Sequence, residues 1–269
     1  MRLFCSALIS IWLGFGGLAM AQGTPQAALD NGDIAGATRQ LQTMSENADA
    51  EQAIEGLAGL AQIAMMQKDY DKAAALLDQA QEKLADRRLF KSAYHIVVPY
   101  LRSMLAESRN DLENAKAEIR KARANLDNGY KFDEAWRGAV EYRTSILFND
   151  DNTLARRSAE AAIVAFRSQK MQVAIAMSEI QLAELEWNRG KTRRTFVGYE
   201  NALIAYRNDG HSQDKIAELQ LMIAEKHIKL EEYKAAASRL ETAETEIRVA
   251  GNPPELIEKL AALKAQIKE

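Results

Sequence analysis

Three histidines, His95, His211 and His227, are the first residues to question, because imidazole is the commonest metal ligand and titrates nearest neutral pH. None has a second histidine three or four residues away on one helical face, and no H-E-x-x-H occurs. His211 lies in RNDGHSQD, where Asn208, Asp209 and Gly210 mark a turn. A calcium loop starting at Asn208 would need a closing carboxylate at its twelfth position, and Leu219 stands there. No G-x-S-x-G is present, and the one glycine cluster, GFGG, sits inside the apolar N-terminal segment with no helix to open. Carboxylate pairs such as Glu184 and Glu186 or Asp150 and Asp151 lie among many other charges, as do the doublets Arg87-Arg88, Arg156-Arg157 and Arg193-Arg194. A solvated face accounts for them. The residue types and spacings therefore predict no catalytic centre, no cofactor and no metal site.

The segments around these residues are built from good helix formers. Ala, Leu, Glu, Lys, Gln and Arg dominate the 269 residues, with only 4 Pro and 7% aromatics, and strand-type runs are nearly absent. An all-α chain is expected. Its 35 basic and 38 acidic side chains give a formal charge of -3, which offers nucleic acid no basic face.

The first residues, MRLFCSALISIWLGFGGLAMAQ, follow the charged, apolar, A-x-A order of a secretory signal, with cleavage expected after Ala21. Residues 1–21 are thus read as a signal peptide and 22–269 as the mature chain. Cleavage removes the single cysteine, Cys5, which lies too far from the cut to be a lipidated N-terminus. It also removes Arg2, so 35 basic residues become 34 against 38 acidic ones. No later run reaches membrane-spanning length. A periplasmic, cysteine-free, helical protein is expected.

A repeat organises that chain. GDIAGATRQLQTM, KDYDKAAALLDQA, NDLENAKAEIRKA and EEYKAAASRLETA each begin with a polar break and an apolar residue. A small residue then follows at +3 and a large one four places on. The frames are Ile34, Ala37, Leu41; Tyr70, Ala73, Leu77, Ala80; Leu112, Ala115, Ile119, Ala122; and Tyr233, Ala236, Leu240, Ala243. Weaker copies fit at Ser158, Ala162, Ala165 and at Thr195, Tyr199, Ala202. Positions i, i+4 and i+7 share a helical face, so each copy presents small-large-small to a neighbour, and small residues let helix axes approach. A preceding helix carries the complement: Leu57, Leu60, Ala61 and Ala64, then Leu182 and Ala183, then Leu219, Ile223 and Ala224. The polar break in KDYD reads as the joint of a helical hairpin, with Tyr70 packed beneath it. His227 falls where it would pack against the partner helix, and Pro99 in YHIVVPYL would kink or restart its helix.

These residues resemble the tetratricopeptide repeat (TPR) family. Leu57, Leu60, Ala61, Tyr70, Ala73, Leu77 and Ala80 match its pattern throughout, and the unit around Tyr233 matches except at Gln220, where Leu219 would supply the contact. The resemblance covers residues 27 to 250, but the family repeat is about 34 residues. Here the small residues at 37, 73, 115, 158, 195 and 236 lie 36 to 43 apart. It implies a right-handed α-solenoid of about five to six hairpins. ELIEKLAALKAQIKE after Pro253-Pro254 carries an apolar stripe at Leu256, Leu260, Leu263 and Ile267 that suits a capping helix.

The resemblance also implies where a partner would lie, in the groove lined by the first helix of each hairpin. Carried over by the frames, those positions are Gln62, Met65 and Met66; Tyr100, Met104 and Glu107; Glu184, Trp187 and Asn188; and Glu225 and Lys229, with Trp136 and Arg143 in the less regular fourth unit. Ala58 and Gln62 stand where a chaperone-tail clamp needs lysine and asparagine, so that function is disfavoured. The expected role is a non-catalytic scaffold or adaptor that binds a protein or peptide of the cell envelope. The alternative is a small-ligand-binding accessory protein of a transport system, its pocket built from the central aromatics Tyr94, Tyr100, Tyr130, Phe132 and Trp136.

Overall fold

The computed structural model describes residues 24–128, 130 and 132–267, so the expected cleavage after Ala21 lies outside the described residues. Those residues form thirteen α-helices, one 3-10 turn and no strand. In chain order the helices are α1 (Pro25–Asp30), α2 (Ile34–Ser45), α3 (Ala50–Met66), α4 (Tyr70–Leu84), α5 (Tyr94–Ser108), α6 (Leu112–Leu126) and α7 (Glu134–Leu147). They continue with α8 (Asn152–Ser168), α9 (Gln172–Asn188), α10 (Thr192–Asp209), α11 (Gln213–Lys229), α12 (Tyr233–Val249) and α13 (Pro254–Ile267). Neighbours in sequence pack as antiparallel pairs: α3 with α4, α5 with α6, α9 with α10, α11 with α12. The helices gather into two compact units, one through Ser158 and one from Ala159. In the second, Leu256, Leu260 and Leu263 of α13 join Leu221, Ala224, Leu240, Ala243 and Ile247, so α13 closes the end of the α11–α12 pair.

The hairpins close through one backbone device. At Gly32, Lys68, Asn110, Lys170, Gly190 and Glu231 the chain takes a left-handed conformation, with φ between 56° and 75°. In each case that residue's N–H donates to the carbonyl three back, and the next N–H donates to the carbonyl five back, as with Lys68 to Met65 and Asp69 to Ala64. This is a Schellman closure. The residue after it already starts the next helix: Asp33, Asp69 and Asp111 each accept a backbone N–H three residues on. The turn is three residues long.

Tyr70, expected beneath the joint, is the first residue of α4 and half-buried, and its carbonyl accepts a hydrogen bond from Arg109 at 2.8 Å. Tyr233, Leu112 and Ile34, at the equivalent places, are 47%, 54% and 40% exposed. Three residues ahead of the buried small residue is about 60° away around the helix, which turns these side chains outward.

The small-large-small frame itself is buried as expected. Ala37, Ala73, Ala115, Ser158, Thr195 and Ala236 are wholly buried, and the residues four places on, Leu41, Leu77, Ile119, Ala162, Tyr199 and Leu240, are nearly so or fully so. The closest approach is at Gly56 of α3, where a methyl group would stand 2.4 Å from the Ser45 amide nitrogen and 2.6 Å from the Leu41 carbonyl oxygen of α2. The long spacings come from two sources. Helices run to 17 or 18 residues in α9 to α12, and long connections at 85–93 and 127–133 join α4 to α5 and α6 to α7.

Pro99 lies inside an unbroken α5. Proline removes the N–H that would bond the carbonyl four residues back. That carbonyl, on His95, accepts instead from the Asn125 side chain of α6 at 2.6 Å, so the hairpin partner repairs the helix.

Left-handed backbone costs a non-glycine residue about 1–2 kcal/mol, and glycine is spared most of it. Lys68→Gly, Asn110→Gly and Glu231→Gly are each expected to stabilise the chain by about 0.5–1 kcal/mol, read as a higher urea midpoint at unchanged slope.

Candidate functional site

The first helices α3, α5 and α9 are predominantly apolar and largely enclosed. In α3, every residue from Gly56 to Gly59 and from Ala61 to Ala64 is buried; in α5 only Arg102, Met104 and the helix ends reach the surface. The last turns of α3, α5, α9 and α11, next to the Schellman closures, are accessible, as are first-turn residues such as Glu51 and Gln52 of α3 and Asp214 of α11.

This sorts the groove residues. Tyr100 is 2% exposed and sits edge-on to Trp136, ring centroids 5.6 Å apart, while Trp136 is itself buried. Gln62 is buried too. These are interior residues, because the turns they occupy face neighbouring helices on every side. Met65, Met104, Glu107, Glu184, Trp187 and Glu225 are half-buried, and Met66, Asn188 and Lys229 are exposed.

In the first unit the last turn of α5 is fixed from α7. Arg143, 3% exposed, donates from Nε to Ser103 Oγ (2.9 Å) and from Nη2 to the Ser103 carbonyl (2.8 Å) and Glu107 Oε2 (2.9 Å). Ser103 Oγ in turn donates to the Ala115 carbonyl of α6 at 2.9 Å. One buried guanidinium thus ties three helices and neutralises Glu107. Its guanidinium lies 5.9 Å from the Tyr100 ring; burial pushes the Tyr100 phenol up, with Arg143 opposing.

In the second unit α9 and α11 are joined by Lys226. Its Nζ donates to Glu184 Oε2 at 2.8 Å and lies 4.7 Å from the centre of the Trp187 ring, a cation–π contact. The Tyr199 hydroxyl of α10 donates to the other Glu184 oxygen. Burial, and then that hydrogen bond, hold the Tyr199 phenol well above its ordinary range. Glu225 pairs with Lys229 one turn on at 2.7 Å, and this bond draws its carboxyl down. His227 stacks on Phe196, centroids 4.3 Å apart, with Nδ1 2.6 Å from Glu232 Oε2. The arrangement offers an extended chain an aromatic face, an amide at Asn188 and fixed charges of both signs, held by side chains that are themselves held.

Sequence reasoning named Arg143 and Gln220 without these roles and missed Ser103, Glu179 and Lys226. Ser103 takes a place where the α3 pattern has alanine, and Glu179 and Gln220 take the first large apolar place of α9 and α11. A polar residue at an apolar register position was the available signal. Gln220, 1% exposed, accepts from Arg239, which also pairs with Glu200, while Leu219 is buried beside it. Glu179, 4% exposed, accepts from Arg167 at 2.7 Å.

No family model matches the sequence, and no curated protein sequence matches it significantly. Solved structures do match. The apo form of RapI superposes with a TM-score of 0.72 at 14% identity, over 99% of this chain and 72% of that one. The STAND protein of Pyrococcus horikoshii, which has a tetratricopeptide repeat sensor, gives 0.67 at 13% identity over 87% of this chain. The fold is TPR-like. The match spans only 36% of that STAND chain. BtubC (BKLC) from P. vanneervenii gives 0.69 at 14% identity, over 80% of this chain and 88% of its own. Identities this low show shared architecture, and the departures from TPR pattern at Ser103, Glu179 and Gln220 are where this chain replaces apolar contacts by polar ones.

Glu179 supplies a test of those polar contacts. Burial raises its carboxyl above 4.5, outweighing the opposing hydrogen bonds from Asn201 and Arg167. A raised acid is preferred neutral by the fold, so stability is lost as pH climbs through the carboxylate range. Thermal melts of Glu179→Gln should match wild type at pH 3.5 and lie at or above it at pH 7. A variant that loses ground as pH rises would show instead that the Arg167 pair outweighs burial.

Proposed function

We propose that this chain is an exported, non-catalytic TPR-like scaffold that binds a protein or peptide of the cell envelope at the last turns of its inner helices. The observation that carries this reading is which side chains stay accessible toward the C-terminal ends of those helices. In α3 and α5 they include Met65, Met66, Met104 and Glu107; in α9 and α11 they include Glu184, Trp187, Asn188, Glu225 and Lys229. Methionine adapts to varied partners, and a half-buried tryptophan is the kind of anchor that dominates interface energy. Arg143 and Lys226 fix the flanking carboxylates, so little ordering is needed on binding.

Export rests on the N-terminal charged, apolar, A-x-A order, and no described helix is long and apolar enough to cross a membrane. Repeat neighbours such as the tetratricopeptide repeat sensor of the P. horikoshii protein are consistent with a recognition role. The scaffold reading is preferred to the enclosed-pocket one because Tyr100 and Trp136 pack on each other.

Crosslinking in intact cells followed by affinity recovery tests this. Trp187→Ala and the double change Met65→Ala, Met66→Ala should each keep the fold and reduce recovery of one specific protein at least about tenfold, the scale of a lost hot spot. Recovery unaltered by both would place the partner elsewhere. Recovery of a small molecule alone would favour the transport accessory.

A further inference from the structure

The connection between α4 and α5 differs from the three-residue hairpin turns. It runs from residue 85 to 93 and carries the 3-10 turn Arg87–Leu89, followed by Phe90 and Lys91. Phe90 is 64% exposed, so most of its apolar surface is left in water. The exposure is not slackness. Asp86 caps the turn, its Oδ1 accepting the Arg88 amide at 2.9 Å, and its carboxylate takes three further bonds from the Arg88 guanidinium. That clasp lowers the Asp86 carboxyl to about 2. The Phe90 amide donates to the Arg87 carbonyl and the Ser92 amide to the Leu89 carbonyl, and the Leu89 carbonyl also contacts His95 Nε2 at 3.1 Å. Ser92 Oγ reaches back to Glu51 of α3 at 2.7 Å. A pinned loop therefore holds one aromatic ring out into solvent.

Cations flank the ring. Lys91 Nζ lies 5.4 Å from its centre; Arg87 is exposed beside it, and the Arg88 side chain is 85% exposed. Arg87 and Lys91 have no carboxylate partner among the described residues, while Arg88 shares its charge with Asp86.

We propose that this loop is a docking point for an anionic phospholipid surface, with Phe90 entering the headgroup–acyl boundary and Arg87, Arg88 and Lys91 lying among lipid phosphates. The size of the feature decides between a lipid and a protein occupant. One five-residue tip falls far short of the roughly 800 Å² per partner that a stable protein interface needs. A headgroup surface needs only an apolar wedge and nearby cations, each cation contributing about a fivefold gain in partitioning. The contact is correspondingly weak and reversible, and would hold an exported scaffold against a membrane face while its groove stays open. It is independent of the groove assignment.

Vesicle sedimentation tests this, using the chain from Gln22 onward, which contains every described residue and lacks the apolar N-terminal segment. Vesicles of phosphatidylcholine with 30% phosphatidylglycerol should bind it at least about tenfold better than phosphatidylcholine alone, with binding falling as salt rises. Phe90→Ser should lower partitioning about tenfold, and Arg87→Ser, Lys91→Ser about twentyfold, with circular dichroism unchanged. Absence of binding to either vesicle would overturn the proposal. So would binding that survives both changes, which would put the contact elsewhere. Polyglutamate binding through these residues while vesicles do not bind would make the occupant an acidic polypeptide.

Discussion

The structure depends on how closely two helix backbones can approach. Ala37, Ala73, Ala115, Ser158, Thr195 and Ala236 are wholly buried because each sits where a second helix passes over it, and anything larger would push that helix away. Glycine marks the tightest crossings: Gly56 against the α2 backbone, and Gly198, where a methyl would stand 2.9 Å from Ala183 Cβ and 3.2 Å from the Glu179 carbonyl oxygen. Close approach buries the first helix of a hairpin on almost every side. That leaves its accessible residues chiefly toward the two ends, the candidate site among them.

Close packing also explains the polar interior. Where the chain departs from an apolar register, it does so with paired groups: Arg143 with Ser103 and Glu107, Gln220 with Arg239, Glu179 with Arg167 and Asn201. A buried charge without partners would be very costly, and each of these has at least one charge-assisted bond. Asn125 does the same service for backbone, satisfying the His95 carbonyl that Pro99 leaves open. These groups fix which helix faces which, a role an all-alanine seam fills less specifically.

Much of the fold was legible because a helical period is a local signal. Alanine at +3 and leucine or isoleucine at +7 from the apolar residue after a polar break were enough to place the buried face of α4, α6 and α12, and the small positions of α8 and α10 followed from the same frame. The exposure of Tyr233, Leu112 and Ile34 and the continuity of α5 through Pro99 depend on turn geometry or on partners distant in sequence, Asn125 satisfying the carbonyl that Pro99 leaves open. Among the groove residues, the sequence located the inner helices and their last turns. It could not tell Tyr100 and Gln62, turned into neighbours, from Trp187 and Glu107, turned partly outward, because exposure is set by the adjoining helix. Lys226, which joins Glu184 to Trp187, was invisible because its contact spans 42 residues of chain.

The central claim is that backbone approach at small residues holds the hairpins together, and glycine-to-alanine substitution inside a helix tests it by sign. In an unobstructed helix interior that change stabilises by about 1 kcal/mol. Urea unfolding of Gly56→Ala and Gly198→Ala should instead show losses of about 1–3 kcal/mol, the usual cost of overpacking. A gain in stability at both positions would mean that the helices can part without penalty, and that close approach is not what holds the hairpins together.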